Sequence, residues 1–262
     1  MTVFMTSSPC IIGAERAILS PANGFIDNLK AALPPRPRAL FICADPDNHS
    51  ETDAFARDFT AAFVEAGIEI SHSAVLDNRY NDQARLLIWQ SDLIVLSGGH
   101  VPTQNLYFQK IQLSRLLKNF QGTILGISAG SMNCARRVYA QPEAPGESSP
   151  DFRRWYPGLG LSEINILPHY QQVKDNLLDG KRLFEDITYV DSVGHSFLSL
   201  VDGSYLLEAE GETTLFGEAY AMIDGRSSRS LCRGILCRWD DSDCSLSYNL
   251  LVGRGHDPAE QV

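Results

Sequence analysis

Apolar runs that alternate with helical patterns are the feature that most constrains how this chain can fold. Strand-like runs lie at residues 38–43, 68–71, 92–96 and 123–125. The helical patterns between them cover residues 51–66, 81–90 and 103–120. Such alternation is typical of parallel strands joined by right-handed crossovers, with helices on both faces of the sheet. We therefore predict an α/β three-layer sandwich with a mostly parallel sheet.

The second half of the sequence has a different pattern. Residues 140–158 form a predicted loop rich in proline and acidic residues, and residues 162–167 form a strand that ends at Pro168 and His169. From Phe197 onward the pattern is β-like, with turns at residues 202–203 and 224–225. No convincing linker divides the chain. We therefore expect one domain over residues 1–262, with a β-rich C-terminal third and a frayed tail at residues 253–258.

The segment Gly126-Ile127-Ser128-Ala129-Gly130 matches the pattern G-x-S-x-G. It follows the apolar run at residues 123–125 and precedes a predicted helix at residues 131–137, which is the strand–turn–helix context that this motif requires. A serine at such a turn has an exposed hydroxyl. Small neighbours allow a tight turn and close approach of a substrate. We therefore predict that Ser128 is a nucleophile and that the Ala129 amide faces the developing oxyanion.

A serine nucleophile needs a base that takes its proton and an acid that orients that base. His169 is the best candidate for the base because it ends a strand where the carboxyl edge of the sheet is expected. Glu143 is the favoured acid from its place in the loop between Ser128 and His169. Three rival carboxylates remain open: Glu147, Asp151 and Glu163.

Charge and hydropathy exclude some classes of function. The formal net charge of −10 argues against a nucleic-acid surface or an anionic membrane surface. No apolar run is long enough to span a bilayer, and the first residues lack the basic start and apolar core of a signal peptide. We expect a cytoplasmic protein with no nucleic-acid or membrane partner. The oligomeric state cannot be read from the sequence.

Six cysteines are present without a C-x-x-C pair. For a chain of this length they are few, so we expect reduced thiols rather than disulfides. Cys134, six positions after Ser128, is interpreted as a packing residue and not as a second nucleophile. The sequence predicts neither a metal nor a cofactor.

Three segments in this order resemble the dipeptidase E and cyanophycinase family of serine peptidases: residues 96–100, residues 126–131 and residues 168–170. The resemblance runs from about residue 38 to about residue 207. It implies a class I glutamine amidotransferase-like, flavodoxin-like fold with Ser128 as nucleophile and His169 as base. It also implies Glu143 as acid, where dipeptidase E has aspartate, and the amides of Gly99 and Ala129 as oxyanion donors.

The resemblance implies a serine-type peptidase that hydrolyses short peptides through a Ser-His-Glu triad and an acyl-enzyme. The sequence does not identify the preferred side chain of the substrate. His100 is a candidate substrate contact, and Arg136 and Arg137 are candidate partners for a substrate carboxylate. The alternative function is a non-catalytic, glutamine amidotransferase-like module that binds a small molecule. An α/β-hydrolase is less favoured, because its acid and histidine normally lie far downstream of the serine.

Overall fold

The computed structural model describes residues 1–240 and 245–250, with side chains through residue 226. The described strands are β1 (Thr2–Thr6), β2 (Arg38–Ile42), β3 (His72–Leu76), β4 (Leu93–Leu96), β5 (Thr123–Ile127), β6 (Arg137–Tyr139), β7 (Trp155–Pro157), β8 (Asn165–Leu167), β9 (Leu177–Leu178), β10 (Lys181–Arg182), β11 (Ser196–Leu200), β12 (Tyr205–Ala209), β13 (Glu212–Ile223), β14 (Arg226–Asp240) and β15 (Ser245–Leu250). The described α-helices are α1 (Phe25–Ala31), α2 (His49–Glu65), α3 (Ala84–Trp89), α4 (Val101–Lys110), α5 (Leu113–Leu116), α6 (Ala129–Met132), α7 (Tyr170–Val173) and α8 (Tyr189–Asp191). The predicted tail at residues 253–258 lies outside the described residues.

The central sheet contains eleven of the described strands, and its main path runs β15-β14-β13-β12-β1-β5-β4-β2-β3. Strands β1, β5, β4, β2 and β3 are parallel to one another. Strand β12 joins them antiparallel to β1, and β13, β14 and β15 follow in antiparallel order. The fold is therefore a three-layer α/β sandwich with a parallel centre and a β-rich C-terminal third, as the sequence predicted.

Alternating side chains of the parallel strands fill two cores. Phe4 and Phe41 pack on one face of the sheet with α1 and α2. Met5, Ile42 and Leu96 pack on the other face, against the layer that contains α3, α4 and α5. Successive residues of a strand point to opposite faces, so one short apolar run supplies both cores. This double burial holds the strand ends that carry the polar residues described below.

Several elements differ from the sequence predictions. The strand predicted over residues 68–71 lies at His72–Leu76, and the loop predicted over residues 140–158 contains β7 (Trp155–Pro157). The helix predicted over residues 103–120 stops at Lys110, because Gln112 has a left-handed backbone (φ 54°). The helix predicted over residues 131–137 is the single turn α6 (Ala129–Met132), and the chain then enters β6. Strand β1, which the sequence analysis did not identify, lies in the middle of the sheet between β12 and β5.

Candidate active site

The residues of the site lie just after the ends of four strands. Ser7 follows β1, Gly98 and Gly99 follow β4, Ser128 follows β5, and His169 comes two residues after the end of β8. Strands β1, β4 and β5 are parallel neighbours, so their carboxyl ends meet at one edge of the sheet. Ligands of open α/β sheets bind at this edge.

Ser128 occupies a strained turn between β5 and α6. Its backbone angles are φ 51° and ψ −112°, which a residue with a side chain rarely adopts. Its N–H donates to the carbonyl oxygens of Thr6 at 3.1 Å and Ser7 at 3.2 Å. A Cβ at Gly130 would overlap the carbonyl oxygen of Leu96, so only glycine lets α6 pack this closely on β4. These contacts hold the backbone of Ser128 in its strained conformation.

His169 lies beside Ser128, with 2.9 Å between the His169 Nε2 and the Ser128 Oγ. Its backbone is left-handed (φ 59°, ψ 30°), and its N–H donates to the Ser7 Oγ at 2.7 Å. The structure therefore brings together the two residues that the sequence predicted as nucleophile and base.

The carboxylate that contacts His169 is Asp202, not Glu143. The His169 Nδ1 lies 2.7 Å from the Asp202 Oδ1, and the Asp202 side chain is fully shielded from solvent. The predicted hydrogen bond between Glu143 and His169 is therefore wrong. Asp202 is the carboxylate that contacts the His169 Nδ1. Asp202 lies in the turn between β11 and β12. This turn lies at the end of β8, near His169, because β11 pairs with β8 and β12 pairs with β1.

Asp202 accepts hydrogen bonds from three further side chains. Ser7 donates from its hydroxyl to Oδ1 at 2.6 Å, and Gln171 and Gln172 donate to Oδ2 at 2.6 and 2.5 Å. Burial is the largest single influence and raises the pKa of Asp202. The hydrogen bonds from His169, Ser7 and Gln171 and the charge of His169 outweigh it, so this pKa lies below its usual value. The ionised carboxylate accepts the Nδ1 proton of His169, which leaves Nε2 free to accept the hydroxyl proton of Ser128.

The two predicted oxyanion donors both line the cleft at Ser128. This cleft has a volume of about 140 Å³, and Gly99, Ser128, Ala129 and His169 are among its lining residues. Gly99 has φ 149°, and a Cβ there would overlap the side chain of Ala44. No hydrogen-bond partner for the Gly99 or Ala129 amide occurs among the described residues. Both amides are therefore available to an incoming oxygen.

Glu143 lines the same cleft, although its carboxylate forms no hydrogen bond with His169. Burial is the largest influence on its pKa and raises it, together with the charge of Glu147, while the charges of His100 and His169 act in the opposite direction. Its backbone N–H donates to the Glu147 Oε2 at 2.9 Å. The structure thus brings Glu143 to the predicted site, in a position where it can contact a ligand and not the base.

Glu147, a rival acid, connects the loop at residues 140–154 to His100. Its Oε1 lies 2.9 Å from the His100 Nε2, and its Oε2 accepts the backbone N–H groups of Glu143 and Ala144. Burial raises the pKa of Glu147, but these backbone hydrogen bonds and the contact with His100 hold it below its usual value. His100 therefore anchors a loop, and its predicted contact with substrate remains a prediction.

Arg136 and Arg137 do not line the cleft, contrary to the sequence prediction. Arg136 pairs with Glu163 at 2.5 Å, and the Arg137 guanidinium lies over the Trp155 ring at 4.4 Å from its centroid. The reason is the shortness of α6, which ends at Met132 and lets the chain turn into β6 before it reaches the arginines. Glu163 is thereby engaged as well, so it is not the acid of the site.

The Cys134 thiol fits the packing role that the sequence predicted. Its side chain belongs to the core cluster on the α4 face, and burial raises its pKa well above that of an exposed thiol. Among the described residues, Cys10, Cys43 and Cys134 are free cysteines, and no group of three or more metal-binding side chains is found. No helix in the described part of the chain is long and apolar enough to cross a membrane.

The sequence analysis missed two residues of this site, Ser7 and Asp202. Both lie just after strands: Ser7 is the first residue after β1, and Asp202 is the second residue after β11. A polar residue at the end of a buried strand is the signal that could have identified them. Residues 202–203 were instead interpreted as an ordinary β-turn.

The comparisons with known proteins identify a family and a similar fold. A family model described as Peptidase family S51 matches residues 14–216. A search of the curated proteins found no match. Among solved structures, the chain is similar to a "Putative Peptidase E Protein from Listeria monocytogenes EGD-e", with a TM-score of 0.57 and 14% sequence identity. That similarity covers 87% of this chain and 98% of the other, and at this identity it supports the fold.

Proposed function

The chain belongs to peptidase family S51, and we propose that this serine peptidase cleaves short peptides through Ser128, His169 and Asp202. The observation that carries the proposal is the continuous set of contacts from nucleophile to acid. The Ser128 Oγ lies 2.9 Å from the His169 Nε2, and the His169 Nδ1 lies 2.7 Å from a buried carboxylate. Family membership makes the chain a peptidase, and no contact in the site favours the alternative of a non-catalytic binding module.

The proposed reaction is acyl transfer. The Ser128 Oγ attacks the carbonyl carbon of the substrate while the His169 Nε2 accepts the hydroxyl proton. The imidazolium then donates that proton to the leaving amine, and Asp202 stabilises the positive charge through its contact with Nδ1. Water attacks the acyl-enzyme with His169 again as base, and the Ser128 hydroxyl is regenerated.

The Gly99 and Ala129 amides are proposed to stabilise the oxyanion of both tetrahedral intermediates. Neither amide has to break a hydrogen bond to another described residue before it binds the oxygen. The loss of one oxyanion donor costs about a hundredfold or more in kcat in serine peptidases. Gly99 follows β4 and Ala129 follows the neighbouring strand β5, so the two amides reach the cleft from adjacent strand ends.

The proposal of a short substrate rests on the narrow cleft. Its volume is about 140 Å³, and Pro142 and Glu143 of the loop at residues 140–154 and the β9 residues Leu177 and Leu178 are among its walls. The loop is tied down, because Asp179 accepts the backbone N–H groups of Gly146 and Ser148. An extended loop of a folded protein would have to displace these walls.

A fluorophosphonate probe and a peptide library test the proposed function. The probe should label the wild-type protein and not Ser128→Ala, and short peptides should be cleaved while casein is not. Ser128→Ala and His169→Ala should each lower kcat/KM by about a thousandfold or more, because the two side chains act as one unit. Near-full activity in Ser128→Ala would contradict the proposal. Efficient cleavage of casein at internal bonds would contradict the short-peptide substrate alone.

A further inference from the structure

The cleft at Ser128 has a mainly apolar wall. Six aliphatic or thioether side chains contribute to it: Val101, Met132, Val173, Leu177, Leu178 and Leu183. Among the described residues that line it, none is lysine or arginine, and Glu143 is the single carboxylate. A substrate side chain in this cleft therefore meets hydrocarbon, and an acidic side chain would meet no cation.

The Glu143 carboxylate accepts no hydrogen bond from the described part of the chain. Its backbone N–H donates to the Glu147 Oε2 at 2.9 Å, and the charges of His100 and His169 act on its carboxylate. The residue is exposed to solvent where it lines the cleft, and Pro142 and Pro145 restrict the backbone around it. Water therefore hydrates the carboxylate in the empty cleft, and an ammonium group of a ligand can replace that water with a charge-assisted hydrogen bond.

We propose that Glu143 binds the α-ammonium group of the N-terminal residue of the substrate, and that the apolar wall selects an aliphatic side chain on that residue. This inference rests on the proposed function, since it assumes that the carbonyl of the N-terminal residue reacts with Ser128. In that residue the α-ammonium nitrogen is attached to the carbon next to the reacting carbonyl. A carboxylate in the same cleft as the nucleophile is therefore placed to bind it.

A lysine or arginine side chain is the other cation that a peptide offers to Glu143. The small cleft, of about 140 Å³, disfavours this choice. The long stem of lysine or arginine would have to fit against the apolar wall while its charged end reaches Glu143 in the same small space. An aspartate side chain is disfavoured more strongly, because its carboxylate would face Glu143 without a compensating cation. The combination selects a free amino terminus together with an apolar side chain.

Four p-nitroanilides separate these possibilities: leucyl, aspartyl and lysyl p-nitroanilide, and 4-methylpentanoyl p-nitroanilide, which is the leucyl compound without its amine. They are assayed with the wild type, with Glu143→Gln and with Asp151→Asn. Asp151 is the matched control because it is an exposed carboxylate of the same loop and does not line the cleft. In the wild type and in Asp151→Asn, the leucyl compound should exceed the other three in kcat/KM. Removal of the amine should lower kcat/KM by about 10- to 100-fold, as expected for a hydrogen bond between two charged groups.

In Glu143→Gln the penalty for removal of the amine should shrink to about threefold or less, mainly through a higher KM for the leucyl compound. An equal penalty in Glu143→Gln and the wild type would overturn the inference. A preference for the lysyl compound that disappears in Glu143→Gln would also overturn it, since the carboxylate would then bind a side chain. If Ser128 is labelled by the fluorophosphonate and peptides are cleaved, such results reject the role of Glu143 alone. Absence of both labelling and cleavage would reject the proposed function itself.

Discussion

Asp202 is the carboxylate that contacts His169, and it was not predicted from the sequence. Position along the chain favoured Glu143, which lies between the nucleophile and the base. The structure instead places Asp202, 33 residues after His169, at 2.7 Å from the Nδ1 atom. An acid that orients a histidine needs proximity to its ring in space, and nothing in the mechanism requires it to precede that histidine in sequence.

Asp202→Asn should lower kcat by about a thousandfold or more, because an amide at this position can favour the wrong tautomer of His169. Glu143→Gln should leave kcat within about tenfold of the wild type and act mainly on KM, because Glu143 does not contact His169. Steady-state kinetics of both variants on the same peptide check this pair of expectations. A larger loss of kcat in Glu143→Gln than in Asp202→Asn would restore the prediction made from the sequence.

Ser7 is the residue that connects the base to its acid. Its hydroxyl accepts the backbone N–H of His169 at 2.7 Å and donates to Asp202 at 2.6 Å. Because a hydroxyl has one proton, the acceptor role toward His169 leaves that proton for the carboxylate. Ser7 is therefore a positioning residue, since its hydroxyl holds the backbone of His169 and the carboxylate of Asp202 and does not contact the Ser128 Oγ.

Ser7→Ala should raise the pKa of Asp202, because the carboxylate loses one of the hydrogen bonds that hold this pKa below its usual value. A carboxyl with a lowered pKa adds stability that is present above its unfolded pKa of about 4 and is lost as the pH falls through its folded pKa. The difference in Tm between the wild type and Ser7→Ala should thus be largest near pH 7 and should shrink as the pH falls below about 4. The experiment is thermal unfolding from pH 7 down to pH 3, with Ser73→Ala, at an exposed position of β3, as the control. Parallel curves for wild type and Ser7→Ala would contradict this role.

At the scale of elements, the loop at residues 140–154 forms one wall of the cleft. Hydrogen bonds fix the middle of this loop. Glu147 contacts His100, Asp179 accepts the backbone N–H groups of Gly146 and Ser148, and the Arg154 Nη1 donates to the Glu147 carbonyl oxygen at 2.8 Å. A long segment without regular structure is normally mobile. Here side chains of the loop and of the β9–β10 turn satisfy its backbone groups, so that it keeps one shape.

Glu147→Ala should loosen this loop, because it removes the acceptor of two backbone N–H groups and of His100. We expect cleavage of the loop by an added protease to become about tenfold faster or more, and KM for peptides to rise more than kcat falls. Limited proteolysis followed by mass spectrometry locates the cut. Asp151→Ala, on the same loop and exposed, is the control. A cutting pattern identical to that of the wild type would show that Glu147 does not hold the loop.

At the scale of the whole molecule, β1 joins the two halves of the sheet. It pairs parallel with β5 on one side and antiparallel with β12 on the other. Phe4, in its middle, is fully buried and contacts the rings of Phe25 and Tyr205 at centroid distances of 6.0 and 5.9 Å. The same strand leads into Ser7, so the packing of the core and the position of the site depend on one segment.

Because β1 bridges both halves, we expect the chain to unfold in one cooperative transition, in keeping with the prediction of a single domain over residues 1–262. Phe4→Ala should lower the free energy of unfolding by about 3–5 kcal/mol. Val64→Ala, on the exposed side of α2, should change it by less than about 1 kcal/mol. Urea unfolding followed by circular dichroism and by tryptophan fluorescence checks this. Two separated transitions would contradict the single domain.

The sequence alone determined the strands β2, β4 and β5 of the parallel sheet, the turn at Ser128 and the place of His169. Each of these depends on local pattern: apolar runs that are buried on both faces, small residues that allow a tight turn, and a polar residue at the end of a strand. The helix of residues 49–65 was predicted within two residues for the same reason, since its apolar spacing is regular.

Only the tertiary structure decided the acid, the positioning role of Ser7 and the fate of Arg136 and Arg137. Strand β1 was missed because five residues next to the chain start carry no flanking pattern. Asp202 reaches His169 because β12 pairs with β1 and β11 pairs with β8, and such long-range pairing leaves no trace in local periodicity. The two arginines lie outside the cleft because α6 ends after one turn. Packing of α6 against β4 and the pairing of β6 with β7 override the helical pattern of the sequence there.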